Sequence, residues 1–223
     1  MSYLLRIDAS ASGDASISRQ VADSFTTGWG GDIVRRDLAL DPVGHLDTAG
    51  ITARTIPADD HTPAQKAAAV LQDELVEEFL GAQAYLFAVP LYNYSMPSVF
   101  KAWLDQIMIV GRTIGVAGGA PSAGRPAVVV SARGGGYGPG APQHGKDFLV
   151  PALRTILGDA NLMSLDVRPI TPELTYAPAM EPLRHLLPAH RACLEEAHAQ
   201  ARRQAAEITA VVAAGRPKLP GTR

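Results

Sequence analysis

Apolar positions along this chain switch repeatedly between short unbroken runs and helical spacing, and the alternation predicts an α/β domain. Tyr3 to Asp8 is a short apolar run of strand length. From Ser16 onward Val21, Ala22, Phe25 and Trp29 recur on one helical face, with Gly30 and Gly31 as the stop. Asp32 to Leu38 predicts a more polar strand, suited to a sheet edge. Residues 40–62 are rich in Pro, Asp, Gly and Thr and read as a long excursion, functional or holding a minor helix. Pro63 opens a helix to about Leu80, with Val70, Leu71, Leu75 and Phe79 inward. Ala84 to Val89 is continuously apolar, as a parallel strand buried on both faces requires.

Phe100, Trp103, Leu104, Ile107 and Met108 then set a helix over Pro97 to Val110. Ala127 to Ser131 gives another buried strand, and a glycine-rich loop leads to a helix over Lys146 to Leu157. Met163 to Ile170 supplies the last strand, and Pro188 to Ala214 the last helix, ended by Gly215 and Pro217. Five strands alternating with helices predict a parallel sheet covered on both faces, within one domain over residues 1–215. The tail, 216–223, is expected to be disordered.

Composition narrows the function classes. A hydrophobic fraction of 47% and a charged fraction of 19% suit a soluble globular protein. The net charge of -2 leaves no electrostatic footprint for nucleic acid or an anionic membrane. Cys193 is the single cysteine, which rules out an intrachain disulfide and suits a reducing cytoplasm. No apolar run is long enough to span a membrane, and the N-terminus runs straight into a strand pattern rather than a leader. The chain therefore reads as soluble and cytoplasmic.

Ligands in such sheets bind beyond the carboxyl ends of the strands, and the unusual residues lie after strands one, three and four. After strand one, Ser10-Ala11-Ser12-Gly13-Asp14-Ala15-Ser16-Ile17-Ser18-Arg19 is small and hydroxyl-rich and leads into a helix N-terminus. Free amides, serine hydroxyls and the positive helix end offer a phosphate site there. It is neither a Walker loop nor a GxGxxG turn, and a plain N-cap at Ser16 or Ser18 is the simpler alternative. After strand three, Leu91-Tyr92-Asn93-Tyr94 sets two aromatics around an asparagine, as a flat ligand would need, or as core filler beside Pro97 would look. After strand four, Ser131-Ala132-Arg133-Gly134-Gly135-Gly136-Tyr137 lets the backbone approach a ligand closely, or simply forms a mobile connection. Arg133 reads either as an anion binder or as half of a surface ion pair.

With these motifs the chain resembles the FMN-dependent NADH-azoreductase (NADH:quinone reductase) family over nearly its whole length. The Ser10 and Ser16-Ile17-Ser18 loop, the Leu91-Tyr92-Asn93-Tyr94 turn and the Ala132-Arg133-Gly134-Gly135 turn carry the resemblance, supported by Arg36-Asp37-Leu38 and Phe100-Lys101-Ala102-Trp103-Leu104-Asp105. The resemblance implies a flavodoxin-like three-layer sandwich and a homodimer with one FMN per subunit near the dimer interface. It assigns Ser10, Ser16, Ile17 and Ser18 to the phosphate. Leu91, Tyr92, Asn93, Tyr94, Ser131, Ala132, Arg133, Gly134 and Gly135 then line the isoalloxazine. The implied reaction is a two-electron ping-pong transfer from NADH or NADPH to a quinone or azo compound. The flavin carries the chemistry, so no catalytic side chain is expected. Tyr92, Asn93 and Tyr137 are the candidates for substrate contact. Three departures from the family pattern fall on the substrate side: Ala132 replaces a common serine, Arg112 to Val116 lacks an aromatic, and Tyr137 stands where other members have histidine.

Other constellations point elsewhere weakly. No histidine pair has metal-ligand spacing, so no metal is expected. His185, His190 and His198 fall on or near the last helix and read as surface groups, whereas His144 follows the glycine loop within reach of the cleft. Cys193 is spaced for packing rather than nucleophilic attack. A flavodoxin-type electron carrier is the alternative function, although such carriers are shorter and more acidic. A hydrolase is disfavoured because no histidine lies near Ser10 to Ser18.

Overall fold

The computed structural model describes residues 3–215, so the expected tail from Arg216 lies outside the described residues. Five strands, β1 (Tyr3–Asp8), β2 (Asp32–Asp37), β3 (Ala84–Ala88), β4 (Pro126–Val130) and β5 (Asp166–Ile170), pair in parallel in the order β2-β1-β3-β4-β5. The winding reverses between β1 and β3, which makes the crevice at their carboxyl ends the switch point of the sheet. The helices are α1 (Ile17–Thr27), α2 (Thr48–Ala53), α3 (Pro63–Gly81), α4 (Ser98–Ile107), α5 (Leu149–Gly158) and α6 (Leu187–Ala213).

The period-2 alternation of the strands builds two separate cores. Leu5, Ile7, Tyr85, Phe87 and Val129 pack against Leu75 and Phe79 of α3, Phe100 and Trp103 of α4, and Leu153 of α5. Leu4, Leu86, Ala88, Val128 and Val130 face the other way, onto Val21 and Phe25 of α1 and Ala197, Ala201 and Ala205 of α6. The result is a three-layer flavodoxin-like sandwich. Central strands β3 and β4 are buried at every position, as their unbroken apolar runs require, while β2 is a largely exposed edge.

The excursion over 40–62 does hold a minor helix, α2, together with a short 3₁₀ turn, Ala58–Asp60. Arg54 fastens it to α4 by donating to the carbonyls of Asp105 at 2.7 Å and of Gln106 and Met108 at 3.3 Å. A guanidinium on the last carbonyls of a helix is favoured by the negative end of its dipole.

Three expectations are corrected. Helix α1 ends at Thr27 with Gly28 as its C-cap, ahead of Gly30. Val70 is 68% exposed rather than inward, because the buried stripe of α3 runs through Gln72, Leu75, Val76 and Phe79. Gln72 takes the inward place to reach the Gly50 carbonyl and the Gln106 amide oxygen, so a polar network displaced the apolar stripe that the sequence suggested. His190 is buried, and His198 is partly buried with its Nδ1 2.8 Å from Ser24 Oγ of α1, so neither is a free surface group. Burial first, and then Arg202, hold the His198 imidazole below its ordinary value.

Candidate functional site

The loop after β1 turns through a short 3₁₀ segment, Gly13–Ala15, before α1 begins. Of the N-terminal amides a helix cannot satisfy internally, that of Ser16 goes to the Gly13 carbonyl and that of Arg19 to Ser16 Oγ. Ser16 is thus the N-cap, and the amides of Ile17 and Ser18 are left facing the crevice end of the helix dipole. Ser18, fully buried, uses Oγ to accept the Ala132 amide at 3.1 Å, which ties the β1 and β4 loops together. Ser10 Oγ accepts the Ser12 amide and lies 3.3 Å from the Tyr92 hydroxyl, which also accepts the Ala11 amide. Tyr92 therefore ties the β3 loop to the same place.

Beneath this loop lies Arg19, only 7% exposed. Its guanidinium grips Asp37 through both terminal nitrogens, and Nη2 also donates to the Ser10 carbonyl at 2.8 Å. Burial would raise the Asp37 carboxyl, but the Arg19 hydrogen bonds and the Ala39 amide outweigh it and hold the group below its ordinary value.

The loop after β3 is a tight two-residue turn. Tyr92 and Ser95 exchange both backbone hydrogen bonds at 2.9 Å, with Asn93 at φ 49° and Tyr94 at φ 66° between them. Two successive left-handed residues make a turn of the type I′ kind, whose favoured sequence is Asn-Gly. Asparagine tolerates this backbone; tyrosine does so only under strain.

After β4, the carbonyls of Arg133, Gly134 and Gly135 accept the amides of Thr175, Tyr176 and Leu174. Since C=O and N–H of one trans peptide point opposite ways, the amides of Gly134, Gly135 and Gly136 turn away from the 174–176 segment. Three neighbouring amides so arranged form a concave donor set for an electron-rich edge. The Arg133 side chain is not part of that surface. It is 4% exposed, with Nη2 2.9 Å from Asp147 Oδ2, Nη1 3.9 Å from Glu173 Oε1 and its guanidinium 5.2 Å from the centre of the Tyr137 ring. Glu173 also accepts the Tyr137 amide, and Asp147 accepts the Leu149 and Val150 amides at the start of α5. Arg133 is therefore the internal post of the glycine loop, as neither an anion binder nor a surface pair. Burial, then Tyr94, outweigh Arg133 and hold the Tyr137 phenol above its ordinary value, so it remains an O–H donor.

The β3 and β4 loops border a cavity of about 930 Å³, lined by Leu91, Asn93, Tyr94, Gly134 to Gly138 and, from the far side, residues between Glu173 and Leu186, with the β1 loop adjoining it outside the lining. The described residues with positive φ other than glycine are Asn93, Tyr94, Ser164 and Leu174, and all but Ser164 line this cavity. Backbone strain of roughly 1–3 kcal/mol per residue persists where surrounding structure enforces it, and it gathers at functional sites. Replacing Tyr94 with glycine is expected to change unfolding free energy by less than about 1 kcal/mol, because relief of strain offsets the lost burial of a ring already 42% exposed. Urea unfolding checks this, and a loss above about 2 kcal/mol would make the ring a structural element instead.

A family model described as a flavodoxin-like fold matches residues 2–177. The FMN-dependent NADH:quinone oxidoreductase of Streptomyces coelicolor is 39% identical over 216 residues, covering 94% of this chain and 96% of that protein. That of Parafrankia is 42% identical over 160 residues, covering 69% of this chain and 76% of its own. The chain belongs to this oxidoreductase family. Its fold is also that of an azoreductase from Bacillus anthracis, which superposes with a TM-score of 0.77 at 18% identity over 93% of this chain and all of that one. A second B. anthracis structure, an FMN-dependent NADH-azoreductase in complex with FMN, gives 0.73 at 18% identity over 94% of this chain and all of that one.

Within this family member the sequence-predicted residues divide into three groups. Ser10, Ser16, Ile17, Ser18 and Tyr92 gather at the β1 loop. Leu91, Asn93, Tyr94, Gly134, Gly135 and Tyr137 line the cavity. Ser131, Ala132 and Arg133 are buried behind it. His144 is exposed and outside the lining, with Nδ1 3.4 Å from the Tyr137 carbonyl. The wall built from Glu173, Leu174, Tyr176, Met180 and Leu183 was missed. Its one sequence signal was a long, proline-punctuated stretch between the last strand and the last helix, a length at which loops tend to be functional. Cys193 has a defined packing role there, accepting the Glu173 amide at 3.3 Å.

Proposed function

We propose that this chain is an FMN-dependent NAD(P)H oxidoreductase that reduces quinones or azo compounds by two-electron transfer. The observation that carries it is a serine-rich helix N-terminus at the switch point of the sheet, tied through Tyr92 and the Ser18–Ala132 hydrogen bond to the loops that wall the strained cavity. FMN needs a phosphate compartment and a flat slot with donors along one edge. The chain offers both: unbonded Ile17 and Ser18 amides with the Ser10 and Tyr92 hydroxyls, and a glycine wall bare enough for an aromatic ring to pack on, as that of Tyr176 does where a Cβ at Gly134 would collide with it. Ser131 Oγ is fully buried and has no hydrogen-bond partner among the described residues, a polar atom waiting for one.

When bound, FMN supplies hydride acceptance from the nicotinamide and electron delivery to the acceptor. The protein's part is positional and electrostatic. The amides of Gly134, Gly135 and Gly136 stabilise negative charge developing along a ring edge, without any proton transfer of their own. Tyr94 and the Glu173–Leu186 wall shape the remaining space, in which nicotinamide and acceptor sit by turns, giving a ping-pong order. Asn93, held by its turn, presents an amide to the substrate, and Tyr137 keeps its phenolic proton as a donor. A homodimer fits the exposed apolar groups at the cavity mouth, Tyr176, Met180 and neighbouring Phe148. Among the described residues no helix is long and apolar enough to cross a membrane. A cytoplasmic setting agrees with the lone Cys193 and with the supply of reduced nicotinamide.

The purified chain with FMN is expected to oxidise NADH in proportion to a quinone or azo dye added as acceptor. A protein that holds FMN yet shows no acceptor-dependent NADH oxidation would belong instead with the non-catalytic carriers.

A further inference from the structure

Nothing on the β1 loop itself carries a positive side-chain charge to meet a phosphate. The Arg19 guanidinium lies beneath the loop and is already neutralised by Asp37, so its attraction for a distant anion is weak. Its effect is geometric. The fork of Arg19 is fixed on both Asp37 oxygens, and Asp37 is fixed in turn by the Ala39 amide at the end of β2. From that anchored position Nη2 takes the Ser10 carbonyl at 2.8 Å. The peptide joining Ser10 to Ala11 is trans, so holding its carbonyl toward the guanidinium turns the Ala11 N–H the opposite way, where the Tyr92 hydroxyl accepts it at 3.2 Å.

Resting on the FMN reading above, we propose that Arg19, locked by Asp37, is a positioning residue for the flavin phosphate. By holding the Ser10 carbonyl it directs the Ala11 amide onto the Tyr92 hydroxyl, which fixes the adjoining Ser10 and Tyr92 hydroxyls for the phosphate, and it thereby sets the chain's preference for FMN over riboflavin, which lacks the phosphate. Lysine cannot replace it: a single ammonium centre cannot hold two carboxylate oxygens in a fork and the Ser10 carbonyl at fixed angles.

The test is a flavin-fluorescence titration of the full-length chain freed of flavin, with FMN and with riboflavin in parallel. Arg19→Lys is expected to weaken FMN roughly tenfold, the worth of one well-aligned charge-assisted contact, and to leave riboflavin within about twofold. The double variant Arg19→Met, Asp37→Asn leaves no unpaired buried charge and is expected to show the same split. Equal weakening of both flavins would mean that Arg19 only stabilises the fold, and unchanged FMN binding would mean that the loop holds itself; either result overturns the proposal. A wild-type chain that binds both flavins equally tightly also overturns it. A wild-type chain that binds neither removes the FMN reading, and this proposal with it.

Discussion

Replacing Arg133 with alanine is expected to lower the unfolding free energy by about 2–3 kcal/mol, somewhat less than the roughly 3–5 kcal/mol for breaking a fully buried ion pair. The discount reflects its partners, whose side chains are 20% exposed at Asp147 and 24% at Glu173, so that water relieves part of the orphaned charge. For a chain of this size the melting temperature should fall by roughly 5–10 °C. The damage is not confined to stability. Arg133 spans α5, the glycine loop and the segment after β5, and without it nothing draws Asp147 and Glu173 together behind Gly134 to Gly136. The three amides lose their common direction, and flavin retention should fall with the melting point. Arg133→Lys keeps the charge but loses the planar contact with Tyr137 and should fall between the two. An Arg133→Ala protein that melts with the wild type would show the cluster to be a solvated pair of little worth.

Ser18→Ala should act mainly on cofactor affinity. Its hydroxyl oxygen accepts the buried Ala132 amide, and through that bond it holds the β4 loop against the phosphate loop. Losing that bond leaves a buried donor unsatisfied, at about 1–3 kcal/mol, and releases the β4 loop from the phosphate loop. Together these should weaken FMN roughly 10- to 100-fold in a fluorescence titration. Ser16→Ala is the control, because Ser16 Oγ accepts only the Arg19 amide of its own helix, and its loss costs about 1 kcal/mol of helix stability without parting the two loops. Equal FMN affinities for the two variants would contradict the division of labour between these serines.

The fold was legible because its strongest signals are independent of tertiary detail. The uninterrupted runs at β3 and β4 can only be strands buried on both faces, and Phe100, Trp103, Leu104 and Ile107 can only be one face of a helix. The loops after β1, β3 and β4 were legible as sites because small, hydroxylated or aromatic residues there served no core. What escaped was relational. Val70 fits the α3 stripe by spacing, and only the Gln72–Gln106 hydrogen bond shows why the stripe runs elsewhere. Arg19 and Asp37 lie 18 positions apart, with nothing in either segment to announce the pair. Arg133 looked like a ligand-binding arginine because its carboxylates come from two other elements. The wall from Glu173 to Leu186 has no period at all and is set by hydrogen bonds to the glycine loop.

The cavity between the β3 and β4 loops is expected to hold an FMN that NADH reduces. The direct measurement is the visible spectrum of the purified chain reconstituted with FMN and desalted, recorded without oxygen before and after NADH. Flavin absorption that survives desalting and is bleached by NADH is the predicted result. Loss of the flavin on desalting, or bound flavin that neither NADH nor NADPH bleaches, would contradict it.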